Sequence, residues 1–133
     1  MTARKSIFVE GFSHGAQPIP AASRVGNLVM TGGVYGLDRA TGQLAGSVQD
    51  QARHMFENLE RILQASGTSL DRVVKMTFYI KVPDARAAIN DQWLKAFPDP
   101  ASRPARHVLQ YEHLAPTMWV QCDAIAVLDD QSH

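Results

Sequence analysis

A second cysteine is missing from this chain: Cys122 stands alone in 133 residues. An intrachain disulfide is excluded, and nothing points to an oxidising compartment. An excess of charge of either sign is missing too, since 13 Lys and Arg balance 13 Asp and Glu. A neutral chain has no broad pull towards nucleic acid or an anionic membrane. No apolar run approaches the ~18 residues of a membrane helix. The opening residues, MTARKSIFVEG, lack the apolar stretch of a signal peptide. The expectation is a cytoplasmic protein with neither membrane nor nucleic-acid partners.

Several chemical signatures are also absent. The histidines, His14, His54, His107, His113 and His133, form no HExxH motif, and there is no CxxC pair. No Walker loop, glycine fingerprint or GxSxG elbow occurs. No metal and no bound nucleotide is expected. Cys122 lies within an apolar stretch, where a thiol behaves as a small hydrophobe rather than a nucleophile. His54 sits off its helix's apolar stripe and reads as solvated. His14, in a turn-rich loop, reads as loop surface, with a cleft-facing position as the alternative.

What is present is an ordinary globular composition, 45% apolar and 20% charged. The length suggests one domain over residues 1–133, able to bury about two thirds of the unfolded chain's surface without a metal or disulfide staple. A short strand is expected at Ser6–Val9, then an ordered loop, GFSHGAQPIP. Two apolar runs, Ala21–Val25 and Leu28–Thr31, flank Gly26-Asn27 and predict a tight hairpin. Gly32-Gly33 marks either a bulge or close backbone approach, or a plain strand end. Asp38–Gly42 reads as a turn. Ser47 opens a helix whose stripe is Val48, Ala52, Met55, Phe56, Leu59, Ile62 and Leu63, with Gly67 as its stop. A strand over Arg72–Val82 follows. A second helix begins at Pro83-Asp84, burying Ala85, Ala88, Ile89, Trp93 and Phe97, and ends at Pro98 and Pro100. Asp129–His133 reads as a loose tail.

This order predicts an α+β fold, a mixed sheet with both helices on one face. The other face needs a cover, and a further copy of the chain in cyclic symmetry is the economical one. The last two strands attract most interest. Pro104 stiffens the approach to Arg106, and a guanidinium so held suits a carboxylate. Met118–Leu128 reads as a long buried strand returning beside it. Alternation places Gln121 and Asp123 on one face and Cys122 on the other, and it turns His107 away from Arg106. Arg106 and the polar side chains of a hairpin partner would then share one anion-binding cleft; a structural ion pair, or an arginine laid over the surface along its aliphatic stem, is the alternative.

GNLVMTGG, TGQL, QARHMFENLERILQASGTSLDRVVKMTFYI, Asn90, RPAR and DAIAVL, in that order over Pro18–Leu128, resemble the RidA/YjgF family of enamine/imine deaminases, also labelled endoribonuclease L-PSP. The resemblance implies a chorismate mutase-like architecture, with a β-barrel core formed by a homotrimer and sites between subunits. It also implies cofactor-free hydrolysis of 2-aminoacrylate and related imino acids to 2-oxo acids and ammonia. By it, Arg106 binds the substrate carboxylate, Gly33 offers its backbone and Asn90 stands nearby, with Ile19 and Val108 lining the site. Three positions depart from the pattern: Ile19 replaces a tyrosine, Gly32 a serine and Gln121 a glutamate. Gln121 can orient water but cannot take its proton. Asp123 or His14 would then be the candidate base, or the chain would be a non-catalytic carboxylate binder. A larger amino-substituted unsaturated acid is the variant substrate. Ribonuclease activity is disfavoured by the neutral charge and the lack of an acid–base pair.

Overall fold

Alternation decides the layers. On the strand Val73–Ile80, Met76, Phe78 and Ile80 are buried, while Lys75, Thr77 and Tyr79 are only partly covered. On Val120–Val127 the even-numbered residues, Val120, Cys122, Ala124 and Ala126, are buried and the odd-numbered ones are partly exposed. One face is therefore core and the other is not. This computed structural model describes residues 3–128; the expected loose tail at Asp129–His133 lies outside them.

The elements are β1 (Lys5–Ile7), β2 (Ala22–Val25), β3 (Leu28–Thr31), β4 (Val34–Tyr35), β5 (Leu37–Asp38), β6 (Gln43–Leu44), α1 (Val48–Ala65), β7 (Val73–Ile80), α2 (Ala85–Ala96), β8 (Ala105–Gln110) and β9 (Val120–Val127). The main sheet runs β1-β2-β3-β9-β7-β8, with β4 also paired to β9, and β5-β6 forms a separate ribbon. β7 and β8 are parallel and the other pairs antiparallel, so the sheet is mixed. Both helices pack on the same side: the Phe56 ring of α1 and the Trp93 ring of α2 meet the Phe78 ring at 5.9 and 6.1 Å between centroids. The α+β fold is the expected one.

Local signals explain most of the boundaries. Gly26 takes a φ of 57° between paired Val25 and Leu28, as a two-residue hairpin with glycine first requires. Ser47 accepts a hydrogen bond from Asp50 N at 3.1 Å, but the Asp50 carboxylate turns to Arg53 rather than back to Ser47, so half of the capping box forms. Gly67, at φ 92°, ends α1 with its own N–H on Gln64 O and Thr68 N–H on Leu63 O. The strand expected over Arg72–Val82 is shorter, because Leu70–Arg72 winds into a 3-10 turn.

Two expectations need correction. β9 is buried on one face only. β8 and β9 are not hairpin partners either, since β7 lies between them. A strand-to-strand return can skip a neighbour when an earlier strand already occupies the place, and β7 forms both of its edges with these two.

Periodicity also missed two polar residues inside the apolar stripe of α1. Gln51 is fully buried; its amide donates to Ala45 O (3.0 Å) and Thr117 O (2.7 Å) and accepts from Trp119 N (2.9 Å). Asn58 donates to Tyr35 O and Leu37 O, both at 3.0 Å. These side chains tie the backbone leading into β9 and out of β4 to the helix. Gly36 allows the close approach, as a Cβ there would stand 2.4 Å from Gln51 O. Replacing Gln51 with Ala leaves three part-buried backbone groups without their partner, so urea titration should show a loss of about 2–4 kcal/mol. A loss below about 0.5 kcal/mol, typical of exposed sites, would contradict this role.

Candidate functional site

Arg106 stands on the edge strand β8 opposite Met76, and therefore on the helix-covered face. Its Nη2 donates to Asn90 Oδ1 of α2 at 2.6 Å. The guanidinium carbon lies 4.8 Å from the Trp93 ring centroid and 5.8 Å from that of Phe78, within cation–π range. Nη1 is buried with no hydrogen-bond partner, and no carboxylate pairs with Arg106 among the described residues. Burial first, then the Arg86 charge, pulls the Arg106 pKa below the usual arginine range. The group remains a cation at neutral pH, partly desolvated and short of one partner. An anion is the partner that best relieves it. Val108, two residues on, shares this face and packs against the core opposite Phe78.

The second cluster gathers around Gly32-Gly33, and here a bulge is what the structure contains. Met30 faces Ile125 and Val34 faces Cys122, so Thr31 to Gly33 stand opposite only Asp123 and Ala124. The Thr31 hydroxyl accepts from Ala124 N at 3.0 Å where the ladder breaks. His14 Nε2 bonds Gly33 O at 2.7 Å. The Gln121 amide lies directly on Gly33: a Cβ there would come within 2.8 Å of Gln121 Oε1. Gln121 Nε2 also reaches Met118 Sδ at 3.4 Å. Ile19 is exposed on the adjoining loop, held by its N–H on Gln17 O. Asp123 shares the face of Gln121 and accepts from the Tyr79 hydroxyl at 3.2 Å. Burial raises its pKa, against the Tyr79 bond and the Lys75 charge.

The two clusters occupy opposite faces of the sheet. Arg106, Asn90 and Val108 lie on the helix side, whereas Gln121 and Asp123 share the uncovered face with Tyr79 and Thr77. The single cleft expected from adjacent strands is therefore corrected: within one chain these side chains do not converge. His107 faces away from Arg106, opposite Thr77, as alternation requires. His14 is not simple loop surface; it is half-buried against Phe12 and Tyr35. Nor is His54 merely solvated, since its ring lies 3.2 Å from Glu57 Oε1 and 3.9 Å from Asp38 Oδ2. Cys122 is fully buried opposite Phe78 and Val34, and burial pushes its thiol pKa far up. No group of three or more metal-type side chains occurs among the described residues. No helix among them is long and apolar enough to cross a membrane. Sequence reasoning missed Trp93 as a site residue, reading it only as core.

Two outcomes test this geometry. Cys122 should react with a thiol reagent only after denaturation, and rapid modification of the native protein would contradict its burial. Arg106→Met should leave stability within about 1 kcal/mol of wild type or raise it, because an unpartnered desolvated charge is removed. A loss of about 3–5 kcal/mol on thermal or urea unfolding would instead mark a structural ion pair.

A family model described as endoribonuclease L-PSP matches residues 14–128. A RutC family protein of Pyrococcus horikoshii is 32% identical over 124 residues, covering 92% of this chain and 97% of that protein. The 2-iminobutanoate/2-iminopropanoate deaminase of Salmonella typhimurium is 30% identical over 124 residues, again 92% of this chain and 97% of that one. Among solved structures, Escherichia coli TdcF with bound serine superposes with a TM-score of 0.84 at 29% identity, covering 94% of this chain and 99% of the other. With the motifs from Pro18 to Leu128 and this fold, these matches show that the chain belongs to the RidA/YjgF, or endoribonuclease L-PSP, family.

Proposed function

We propose that this protein hydrolyses small enamine or imine acids to 2-oxo acids and ammonia, at sites shared between copies of the chain. The unanswered Nη1 of Arg106 carries this reading, a cation poised for a carboxylate and matched by no acidic side chain among the described residues. The deaminase name of the Salmonella relative and the serine bound to TdcF support the substrate class.

In this reading Arg106 and Asn90 grip the carboxylate, with Val108 beside them. The Gly33 backbone and Gln121, from a second copy, face the C=N bond, and Ile19 closes the rim. Gln121 Oε1 accepts a hydrogen bond from water and aims its oxygen at the imine carbon. The water's proton passes to the imine nitrogen, since an amide cannot hold it. The resulting carbinolamine expels ammonia as its hydroxyl proton moves to nitrogen and the C=O bond forms. Orientation supplies what a general base otherwise would. Neither a metal nor a cofactor has a part in these steps.

The two half-sites are different surfaces on opposite faces, so their joining is head-to-tail and closes a ring rather than a two-fold dimer. Leu28 and Met30, each nearly half exposed on the helix-free face, are apolar surface such a ring would cover. The family resemblance makes that ring a homotrimer with a barrel-like core. The lost glutamate also favours a second reading, a family member that binds carboxylates without turnover.

Ammonia release from enzymatically generated 2-iminopropanoate should exceed the buffer rate, and Arg106→Ala should lower kcat/KM by roughly tenfold to a hundredfold. No acceleration for any imino acid, with calorimetric binding of a 2-oxo acid intact, would replace the deaminase by the binding module. Sedimentation should show a trimer; a stable monomer at micromolar concentration would remove the shared site.

A further inference from the structure

We infer that His14 is a positioning residue of this site, holding the Gly33 peptide so that Gly33 and the Gln121 amide present a fixed surface to substrate and water. The inference deepens the deaminase reading and rests on it. A carbonyl oxygen can only accept, so the 2.7 Å contact from His14 to Gly33 O places a hydrogen on Nε2. The other ring nitrogen, Nδ1, is buried with no partner. A polar atom stranded in this way costs free energy. A phenyl ring would fill the same space against Phe12 and Tyr35 without that cost. Packing alone therefore does not account for a histidine, whereas the Nε2 bond does.

What that bond holds is a break in the sheet's pairing. The bulge takes Gly33 out of the ladder with β9, and its N–H has no backbone acceptor among the described residues. Two successive glycines are conformationally permissive, so the carbonyl's direction needs an external anchor. The approach of Gln121 also depends on this peptide, since its amide fills the room over the Gly33 α-carbon that a Cβ would take. His14 stands in ordinary contact behind Gly32, its Cε1 3.8 Å from where a Cβ would be. The histidine itself is braced by its own loop. Ser13 O accepts the Tyr35 hydroxyl, and the Phe12 and Tyr35 rings pack at 4.9 Å between centroids. A chain of contacts thus runs from the β4 aromatic through the loop to the bulge and on to Gln121.

Three variants of the assembled protein separate donor from packing. His14→Phe keeps the ring without the donor, His14→Gln keeps a donor that reaches the carbonyl, and His14→Ala keeps neither. Imine hydrolysis is measured for each, with thermal unfolding alongside. The Phe variant should unfold at or above the wild-type temperature yet lose about tenfold to a hundredfold in kcat. Its KM should stay close to wild type, because Arg106 is untouched. The Gln variant should recover most of the lost rate, and the Ala variant should lose both stability and rate. A Phe variant as fast as wild type, or a folded Gln variant as slow as the Phe one, would overturn the role of His14 while leaving the deaminase reading in place. An inactive wild type would bring down the deaminase reading, and the role of His14 with it.

Discussion

A guanidinium with a free donor, and no acid to meet it among the described residues, is the constraint on which this structure turns. Burial of a charge is unfavourable unless hydrogen bonds or a counter-ion repay it. Here Asn90 supplies one bond and the Trp93 and Phe78 rings supply polarisable faces, but Nη1 is left without a partner among the described residues. The surroundings are arranged to keep it so. β8 places the side chain under α2, next to a second positive charge, Arg86, that lowers its pKa further. A site kept cationic, desolvated and open-handed in this way is suited to an incoming carboxylate more than to stability.

The opposite face carries Gln121 and Gly33, the complement in the proposed site, and their placement depends on buried polar groups in α1. Gln51 fixes the backbone at Thr117 and Trp119, just ahead of β9 and its Gln121. Asn58 fixes the carbonyls of Tyr35 and Leu37, just after the bulge. An apolar stripe would have packed as well, but it would have left those backbone groups unpaired where the chain leaves the sheet. Helix, bulge and strand are thus held in one register, and the Gln121 amide lies in the room that a Cβ at position 33 would take. A thermodynamic consequence follows for the exchanged residue: a glutamate at 121 would bring a charge against main chain and a methionine sulfur, whereas the amide brings none.

Much of this was legible beforehand where a local rule acts alone. The Gly26 hairpin, the Ser47 cap, the Gly67 stop and the buried faces of both helices follow from φ preferences, capping and periodicity. Alternation placed Gln121 with Asp123 and turned His107 from Arg106. What escaped is what depends on partners distant in the chain. β7 inserts between β8 and β9, and its register sets Arg106 level with Met76 and Ala124 and so opposite in face to Gln121; no local pattern reports which strand occupies the gap or in what register. The contact of His14 with Gly33 and the burial of Gln51 are likewise tertiary; polar residues in a loop or a stripe carry no mark of the carbonyls they will meet. Asn90 entered the candidate site only through the family resemblance, and Gly33 was marked by the glycine pair as a candidate point of close approach without a stated partner.

A crystal of the protein soaked with a 2-oxo acid tests the central claim most directly. The account predicts the carboxylate within hydrogen-bond distance of Arg106 Nη1 in one copy, with the oxo carbon turned to Gly33 and Gln121 of the next. An Arg106 closed by a carboxylate of the protein itself, or a ligand bound with Arg106 and Gln121 both untouched, would contradict it.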